Sequence, residues 1–469
     1  MPPDEFRRHA HRLVDWIADY LQDSDRYPVL SRVAPGEIAG ALPAHPPERG
    51  EPFDRVLDDF ERTIVPGLTH WNHPAFFAYF AITGSAPGVL GEFLSAALNV
   101  QAMLWRTSPA ATELEEVALG WLRQLIGLPD VFEGVIYDTA SIASMHALAA
   151  AREQAVPGVR ASGLPGRDLP RYRVYCSEHA HSSIDKAVMT LGLGHDALRK
   201  IPADQEFRMP VDALRAAIDE DRLAGVEPMA AVATVGTTST TSVDPVGAIA
   251  EVCARENIWL HVDAAYAGVA AMVPGYGHVL RGADRADSVV VNPHKWLFTP
   301  FDLSAFYCRR METLRRAFSL TPEYLKTAEA GRVTNLMDTG VQLGRRFRAL
   351  KLWMILRHFG AEGLRARLAE HMRLARTFAD WVSRDPEFEL LAPVPFSVVC
   401  FRAKPRGVPV DELDAFNEDL LNRLNAGGQV FLSHTRLQGR FTLRLAIGHI
   451  RTEERHVRLA WDLMKQMLR

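Results

Sequence analysis

Apolar residues follow a helical spacing in some stretches of the chain and form short continuous runs in others. Over residues 4–22 they recur every three or four positions, which predicts an amphipathic helix. The same spacing predicts further helices at about 110–126, 142–153, 211–219 and 246–256. Short β-rich runs lie between helical stretches, at Val174–Cys176, Ala230–Val235, Ile258–Val262 and Ser288–Val291. This alternation predicts βαβ units and an α/β fold whose mostly parallel sheet is flanked by helices.

The pattern changes after about residue 345. A long helical stretch begins at Phe347, strand-like runs follow near 397–402 and 441–446, and a final helix is predicted at 452–468. This mixture is typical of a smaller α+β domain. We therefore expect three regions, with an N-terminal helical and extended arm at 1–84, a large α/β domain at 85–345 and a small C-terminal domain at 346–469.

Composition and charge exclude several classes of protein. The chain has 469 residues, of which 48% are hydrophobic, and a formal net charge of −4. A disordered chain would be less apolar, and a protein that binds nucleic acid by neutralising phosphates would be basic. The four cysteines form no CxxC pair, and neither a signal-peptide core nor an apolar run of about 18 residues occurs. We expect a cytoplasmic protein that binds neither membrane nor nucleic acid.

Lysine is rare, since only seven of the 53 basic residues are lysine. Lys295 stands in the sequence Asn292-Pro-His-Lys295, directly after the apolar run Val289–Val291. Ligand sites of open α/β sheets lie at the carboxyl ends of their strands. Partial desolvation there lowers the pKa of an amine and makes it nucleophilic, as a Schiff-base lysine requires. The alternative is a salt-bridged surface lysine.

Asp263 ends another apolar strand, in the sequence Leu260-His-Val-Asp263-Ala-Ala265. A buried carboxylate is costly unless it has a cationic or hydrogen-bonding partner. A protonated pyridine nitrogen would be such a partner, and the small Ala265 would leave room for a flat ring. The alternative is an aspartate that caps the next helix or pairs with an arginine.

Small and hydroxyl residues open the predicted helix after Asp138, at Thr139, Ala140 and Ser141. Free backbone N–H groups and the helix dipole make such a position suitable for an anion, although a plain helix cap is the alternative. Thr238 follows a further strand and can line the same crevice.

His179 and His181 follow the strand at 174–176. They could be metal ligands, but no other His, Cys or Glu cluster has ligand spacing, so we expect no metal site. A histidine that stacks on an aromatic ring and exchanges protons is the favoured interpretation.

Taken in order, these motifs resemble the group II pyridoxal-phosphate-dependent amino-acid decarboxylases, and most of all the aromatic-L-amino-acid decarboxylases. The motifs are AHSS (180–183), GTTS (236–239), HVDAAYAG (261–268) and NPHKWL (292–297). Further segments resemble the same family, namely HWNHPAFFAYF (70–80), SPAATELE (108–115), TPEYLK (321–326) and LGRRFRALKLW (343–353). The resemblance therefore covers nearly the whole chain and implies a fold type I enzyme.

The resemblance implies a role for each matching residue. Lys295 would hold pyridoxal 5′-phosphate (PLP) as an internal aldimine, Asp263 would pair with its ring nitrogen, and His181 would stack on the ring. The phosphate would be held by Thr139, Ala140, Ser141, Asn292 and His294. Ala265 would pack under the ring and Thr238 close to it. Tyr324 would protonate the quinonoid carbon after carbon dioxide leaves.

The implied reaction converts an aromatic L-amino acid to its amine and carbon dioxide. Trp71, Tyr79 and Phe80 match the aromatic wall of the family's substrate pocket, with Met103 and Gly344 as further substrate-side residues. The family is a homodimer with shared active sites.

Three alternatives remain. One is oxidative decarboxylation to an aromatic aldehyde on the same scaffold, and another is a cofactor-free protein that kept the fold. The third is a transaminase, which would use the same cofactor but would need a keto-acid partner and would leave the loop tyrosine without a clear purpose. Relatives that form aldehydes replace the loop tyrosine or the stacking histidine, whereas Tyr324 and His181 are both present here. We therefore favour plain decarboxylation.

Overall fold

The computed structural model describes residues 1–320, 329 and 331–468. Its α-helices have the following bounds: α1 Pro3–Gln22, α2 Glu37–Ala41, α3 Phe53–Asp59, α4 Ala86–Leu98, α5 Pro109–Leu125, α6 Ala140–Ala155, α7 Val159–Ser162, α8 Ser183–Thr190, α9 Val211–Leu223, α10 Val246–Glu256, α11 Pro293–Trp296, α12 Met311–Phe318, α13 Ala349–Arg384, α14 Leu413–Ala426 and α15 Glu454–Met467. The backbone of α13 is non-helical at Gly360. The helices predicted from apolar spacing are all present, with ends shifted by a few residues.

The strands are shorter than the helices and group into two sheets. They are β1 Phe76–Phe77, β2 Glu133–Tyr137, β3 Arg171–Ser177, β4 Leu198–Ile201, β5 Val226–Thr234, β6 Trp259–Asp263, β7 Ser288–Val291, β8 Ser304–Cys308, β9 Phe388–Leu390, β10 Val398–Ala403, β11 Phe431–Leu437 and β12 Arg440–Ala446.

The larger sheet has seven strands in the order β2-β8-β7-β6-β5-β3-β4. Strands β4, β3, β5, β6 and β7 pair in parallel with one another, whereas β8 pairs antiparallel with both β7 and the edge strand β2. Strands β6 and β7 are buried along their whole length, as expected for a parallel sheet that is covered on both faces. The prediction of a mostly parallel sheet with flanking helices is confirmed.

Helix α6 covers this sheet closely because its buried face is rich in alanine. Ala143, Ala147 and Ala151 are fully buried in a core that also contains Val174 and Val232 of the sheet. Small side chains let the helix axis approach the strands, so the N-terminus of α6 is held at the carboxyl end of the sheet.

The smaller sheet is mixed, in the order β1-β11-β12-β10-β9. Its short strand β1 pairs in parallel with β11, and Phe76 is the partner of Phe431. By contacts, the chain divides into two units. Residues 1–81, 374–391 and 399–469 form one, and residues 82–373 and 392–398 form the other. The N-terminal segment therefore belongs to the same unit as most of the C-terminal residues.

Among the helices that the structure describes, none combines the length and the apolar character needed to cross a membrane.

We expect Gly91 in α4 to be required for packing. A Cβ at this position would lie 2.6 Å from Cα of Lys351 in α13, so Gly91→Ala should lower the free energy of unfolding by about 1–3 kcal/mol. Gly120 in α5 is the matched control, because a Cβ there meets no atom within 4 Å. Gly120→Ala should be neutral or stabilise the protein by up to about 1 kcal/mol, since alanine favours helix. Urea unfolding checks both values, and an equal effect of the two changes would contradict this account.

Candidate active site

Lys295 lies where the buried strand β7 ends and the short helix α11 begins. Asn292 directly follows the carboxyl end of this strand, and the half-buried Lys295 lies three residues further along the chain. Burial lowers the pKa of the Lys295 amine, while the negative charge of Asp263 acts in the opposite direction. The structure thus gives Lys295 the desolvated setting that a nucleophilic amine needs.

Asp263 is the last residue of β6, the strand next to β7. Its carboxylate is buried, and Oδ1 accepts a hydrogen bond from the backbone N–H of Ala265 (3.1 Å). The carboxyl ends of parallel strands meet at one edge of a sheet, which brings Asp263 and Lys295 into electrostatic contact.

Backbone hydrogen bonds fix the two strand ends to each other. The N–H of Ala264 donates to the carbonyl of Val290 (3.0 Å), and the N–H of Asn292 donates to the carbonyl of Ala265 (3.0 Å). Ala265 is itself buried. The positions of the carboxylate and the amine are therefore set by the sheet rather than by a flexible loop.

His181 follows β3 and lies within electrostatic range of both Asp263 and Lys295. Partial burial lowers the pKa of its imidazole; Asp263 opposes this effect and Lys295 adds to it. The backbone N–H of Ser183 donates to Nδ1 of His181 (3.1 Å), so the neutral ring carries its proton on Nε2. His181 is exposed in the structure, so its ring is accessible.

The predicted anion site begins at Thr139, which is extended and precedes helix α6. The first N–H groups of a helix have no partner within the helix, so the first turn at Ala140 and Ser141 is suited to a phosphate. Ser141 is exposed at this end. The Thr139 N–H and hydroxyl donate to Oδ1 of Asp138, at 2.6 and 3.2 Å.

Asn292 and His294 are buried and have partners within the protein. Ser304 Oγ donates to Oδ1 of Asn292 (2.6 Å), and the Leu303 N–H donates to Nδ1 of His294 (2.9 Å). Burial, and to a smaller extent the positive charge of the nearby Lys295, lowers the pKa of His294 to about 3. His294 is therefore neutral and can offer a hydrogen bond but no charge to an anion.

Two groups of side-chain contacts near the site were not predicted from the sequence. His261, in the middle of β6, bridges Ser144 of α6 (3.1 Å) and Ser288 of β7 (3.0 Å). The ring of Tyr266 stacks on Trp296 with centroids 4.9 Å apart, and the Trp296 indole N–H donates to Nδ1 of His371 (3.0 Å). No sequence spacing links these residues, because each pair depends on how the strands are ordered.

The predicted aromatic wall lies in the unit that contains the N-terminal residues. Trp71 stacks on Phe76 and on Tyr79, with centroids 4.4 and 5.7 Å apart. Tyr79 is exposed and has a positive φ of 53°, held by a hydrogen bond from its N–H to Ser433 Oγ (3.1 Å). The guanidinium of Arg444 lies 5.3 Å from the ring centre of Phe80. Of these side chains, Tyr79 is exposed, Trp71 and Phe80 are half-buried, and Phe76 is buried.

The remaining predicted residues lie in the unit that contains the seven-stranded sheet. Met103 is half-buried and accepts a backbone hydrogen bond from Met337 (3.0 Å), while Gly344 is exposed. Thr238, four residues beyond β5, is exposed as well. Tyr324 lies outside the described residues. Within the described ranges, no three His, Cys, Asp or Glu side chains are grouped in a way that could hold a metal ion.

The side chains and the helix terminus at this edge of the large sheet fit the chemical groups of PLP. A buried carboxylate can pair with a protonated ring nitrogen, a desolvated amine can bond to an aldehyde, and the first turn of α6 can bind a phosphate. The first two groups stand on adjoining strands, and α6 packs on the same sheet.

Comparisons with known proteins agree with this chemistry. Residues 35–404 match the family described as "Pyridoxal-dependent decarboxylase conserved domain". The chain is 40% identical to phenylacetaldehyde synthase of Arabidopsis thaliana, over 99% of this chain and 96% of the relative. It is 41% identical to aromatic-L-amino-acid decarboxylase of Sus scrofa, over 98% of this chain and 96% of the relative.

Among solved structures, the Oryza sativa TDC in complex with PLP and tryptamine is similar over 100% of this chain and 98% of its own. The TM-score is 0.96 at 39% sequence identity. The fold is therefore that of fold type I PLP enzymes, as the sequence predicted.

The buried His261 should make stability depend on pH. Burial lowers its pKa to about 4 in the folded protein, whereas an unfolded histidine titrates near 6.5. Between these values only the unfolded chain binds the proton, so the free energy of unfolding falls as the pH drops from about 6.5 to 4.

We expect His261→Gln to reduce this slope by about 1 kcal/mol per pH unit between pH 6 and 5. Denaturant unfolding over that range measures the slope. The same change at the exposed His11 is the matched control for the loss of one histidine. An unchanged slope in His261→Gln would show that His261 binds a proton to the same extent in the folded and unfolded states, which would contradict this account.

Proposed function

The chain belongs to the pyridoxal-dependent decarboxylases, and we propose that it converts an aromatic L-amino acid to the corresponding amine and carbon dioxide. The observation that carries the proposal is the pairing of a desolvated Lys295 with the buried Asp263 at two adjoining strand ends. Support for an aromatic substrate comes from relatives about 40% identical along the whole chain, which include a tryptophan decarboxylase and an aromatic-L-amino-acid decarboxylase.

In this proposal the residues of the large sheet hold and tune the cofactor. The bound cofactor supplies a ring that accepts the electron pair left when carbon dioxide departs. Lys295 would attach the cofactor, Asp263 would keep its ring nitrogen protonated, and His181 would cover its ring. Thr139, Ala140 and Ser141 bind the phosphate, together with Asn292 and His294. Ala265 leaves room beneath the ring, and Thr238 borders it.

Proton delivery decides the product. We assign to Tyr324 the proton that the substrate carbon receives after carbon dioxide leaves. His181 is suited to assist, because its neutral ring carries a proton on Nε2. Positioned general acids of this kind contribute about 10²–10⁴-fold to a rate.

On the substrate side, we assign the aromatic surface of Trp71, Tyr79 and Phe80 to the ring of the amino acid. Its stacked side chains offer flat apolar faces. Met103 and Gly344 would set the space available to that ring. A Cβ at Gly344 would lie 3.4 Å from Nε2 of Gln101, so glycine leaves extra room there.

Formation of an aldehyde is the second candidate, because one relative 40% identical along the chain is a phenylacetaldehyde synthase. This reaction would require oxygen in place of simple protonation. The presence of both Tyr324 and His181 favours the amine.

We also propose a homodimer with shared active sites. Helix α4 has an exposed apolar stripe at Leu90, Phe93, Leu94 and Leu98, and α1 exposes Phe6 and Val14. Contiguous exposed apolar surfaces of this kind mark protein interfaces. A cytoplasmic location is proposed on the four cysteines, which are all free and buried.

The product assay tests the function. Purified protein with PLP is incubated in turn with Phe, Tyr, Dopa, Trp and 5-hydroxytryptophan, and amine, aldehyde and peroxide are measured by mass spectrometry and a peroxide assay. We expect amine without stoichiometric peroxide, and Tyr324→Phe should lower amine formation by about 10²-fold or more. Tyr172→Phe, at the amino end of β3, is the control and should keep the parent rate. Aldehyde with equal peroxide from the parent protein would contradict the proposal.

Gly344→Ser tests the substrate-side assignment. The added side chain would narrow the space beside Gln101, so kcat/KM for Trp should fall about tenfold more than kcat/KM for Tyr. Gly363→Ser in α13 is the control and should leave the ratio unchanged. Equal losses for the two substrates in Gly344→Ser would refute a role for Gly344 in selecting the ring.

Charged substitutions on the apolar stripe of α4 test the proposed dimer interface. Phe93→Glu together with Leu94→Glu should give a monomer in sedimentation velocity and abolish activity, since a charged interface cannot be desolvated cheaply. The control is Leu223→Glu, which places the same charge on an exposed leucine at the end of α9. A double variant that stays dimeric would exclude this stripe as the interface.

A further inference from the structure

The segment Asn335–Arg345 is attached to the end of β2 and to helix α6 by three side chains. The Tyr137 hydroxyl donates to the carbonyl of Thr339 (2.5 Å), and the Val341 N–H donates to Nε2 of His146 (3.4 Å). The side-chain amide of Gln342 donates to Oδ2 of Asp138 (3.1 Å). These contacts join residues about 200 positions apart in the sequence.

Gly340 allows this close approach. Its backbone is extended, so glycine is not required by the backbone angles. A Cβ at Gly340 would instead lie 2.7 Å from Cε1 of His146 and 3.2 Å from Cε1 of Tyr137. Thr339 beside it is buried. The segment is therefore packed directly on Tyr137 and His146.

The same segment also contacts the residues around Met103. The Met337 N–H donates to the Met103 carbonyl (3.0 Å), and the Ala102 N–H donates to the Arg345 carbonyl (2.9 Å). Gly344 precedes Arg345. The segment Asn335–Arg345 thus links the N-terminus of α6 to two residues that we assign to the substrate side.

Asp138 connects Thr139, at the N-terminus of α6, to Gln342 in the segment Asn335–Arg345. Its Oδ1 accepts from the N–H and the hydroxyl of Thr139, and its Oδ2 accepts from Gln342. A phosphate held by Thr139 needs those same donors, and its negative charge would lie close to the Asp138 carboxylate. Like charges at such a separation repel strongly in a partly buried setting.

We propose that Asp138 is a positioning residue that competes with the cofactor phosphate for the donors of Thr139, and that Gln342 transmits this competition to the segment Asn335–Arg345. The proposal rests on the proposed assignment of Thr139 to the phosphate. Coupling between two sites is reciprocal. Binding at Thr139 that displaces the carboxylate of Asp138 must therefore also affect the segment that contains Gln342.

The first test uses Asp138→Asn and two ligands. Asparagine removes the charge and keeps one oxygen as the acceptor for Thr139; its NH2 then faces Gln342, which can accept through Oε1 once its own amide is turned over. Dissociation constants of the full-length apoprotein are measured by absorbance for PLP and for pyridoxal, which lacks the phosphate. We expect Asp138→Asn to bind PLP about tenfold more tightly and pyridoxal with unchanged affinity. Unchanged or weaker PLP binding, or an equal gain for pyridoxal, would overturn the proposal.

The second test follows the segment itself. Hydrogen–deuterium exchange of residues 336–345 is measured with and without PLP. We expect PLP to change the exchange rate in the parent protein and in Gln154→Met, a matched control that removes a hydrogen bond to Arg310 at the other end of α6. The change should be lost in Gln342→Met. A change of the same size in Gln342→Met would refute the link.

A parallel titration of Lys295→Ala separates this proposal from the proposed function. If Lys295 does not carry the cofactor, Lys295→Ala will bind PLP with the parent spectrum and affinity. If only the role of Asp138 is wrong, PLP binding will depend on Lys295 but will not tighten in Asp138→Asn.

Discussion

The buried carboxylate of Asp263 beside the desolvated amine of Lys295 is the interaction on which the rest of the site depends. Each group would be costly to bury alone, since an isolated charge in a protein interior loses its hydration. Their strands adjoin in parallel, and two backbone hydrogen bonds fix the ends to each other. Burial then lowers the pKa of Lys295 while Asp263 limits that effect, which is the setting that a nucleophilic amine requires.

The phosphate end of the site obeys a different constraint. Helix α6 approaches the sheet on an alanine-rich face, which places its free N–H groups at the carboxyl edge of the strands. In this chain the carboxylate of Asp138 already occupies the donors of Thr139. In our proposal the cofactor phosphate competes with this carboxylate for the donors of Thr139, and Gln342 connects the competition to the chain beside Met103.

Much of this arrangement could be predicted from the sequence. The alternation of helices and apolar runs predicted the parallel sheet, and the polar residues at the ends of β6 and β7 were expected to adjoin, as they do. That these residues hold the cofactor stays a prediction. The antiparallel strands β2 and β8 were not predicted, because β2 begins with Glu133 and Gly134 and β8 contains no β-branched residue, so only part of each has the composition typical of a strand. The pairing of Phe76 with Phe431 and the contacts of His261 join residues that are distant in the sequence, so no local sequence pattern predicts them. The proposed role of Tyr324 comes from resemblance alone, since it lies outside the described residues.

The most direct test of the account is to locate the covalent attachment of the cofactor. The protein is incubated with PLP, reduced with borohydride and digested, and the modified lysine is identified by mass spectrometry. The account predicts one stoichiometric adduct, on Lys295, and none on the other six lysines. An adduct on a different lysine, or none at all, would contradict the central claim that the strand end at Lys295 holds the cofactor.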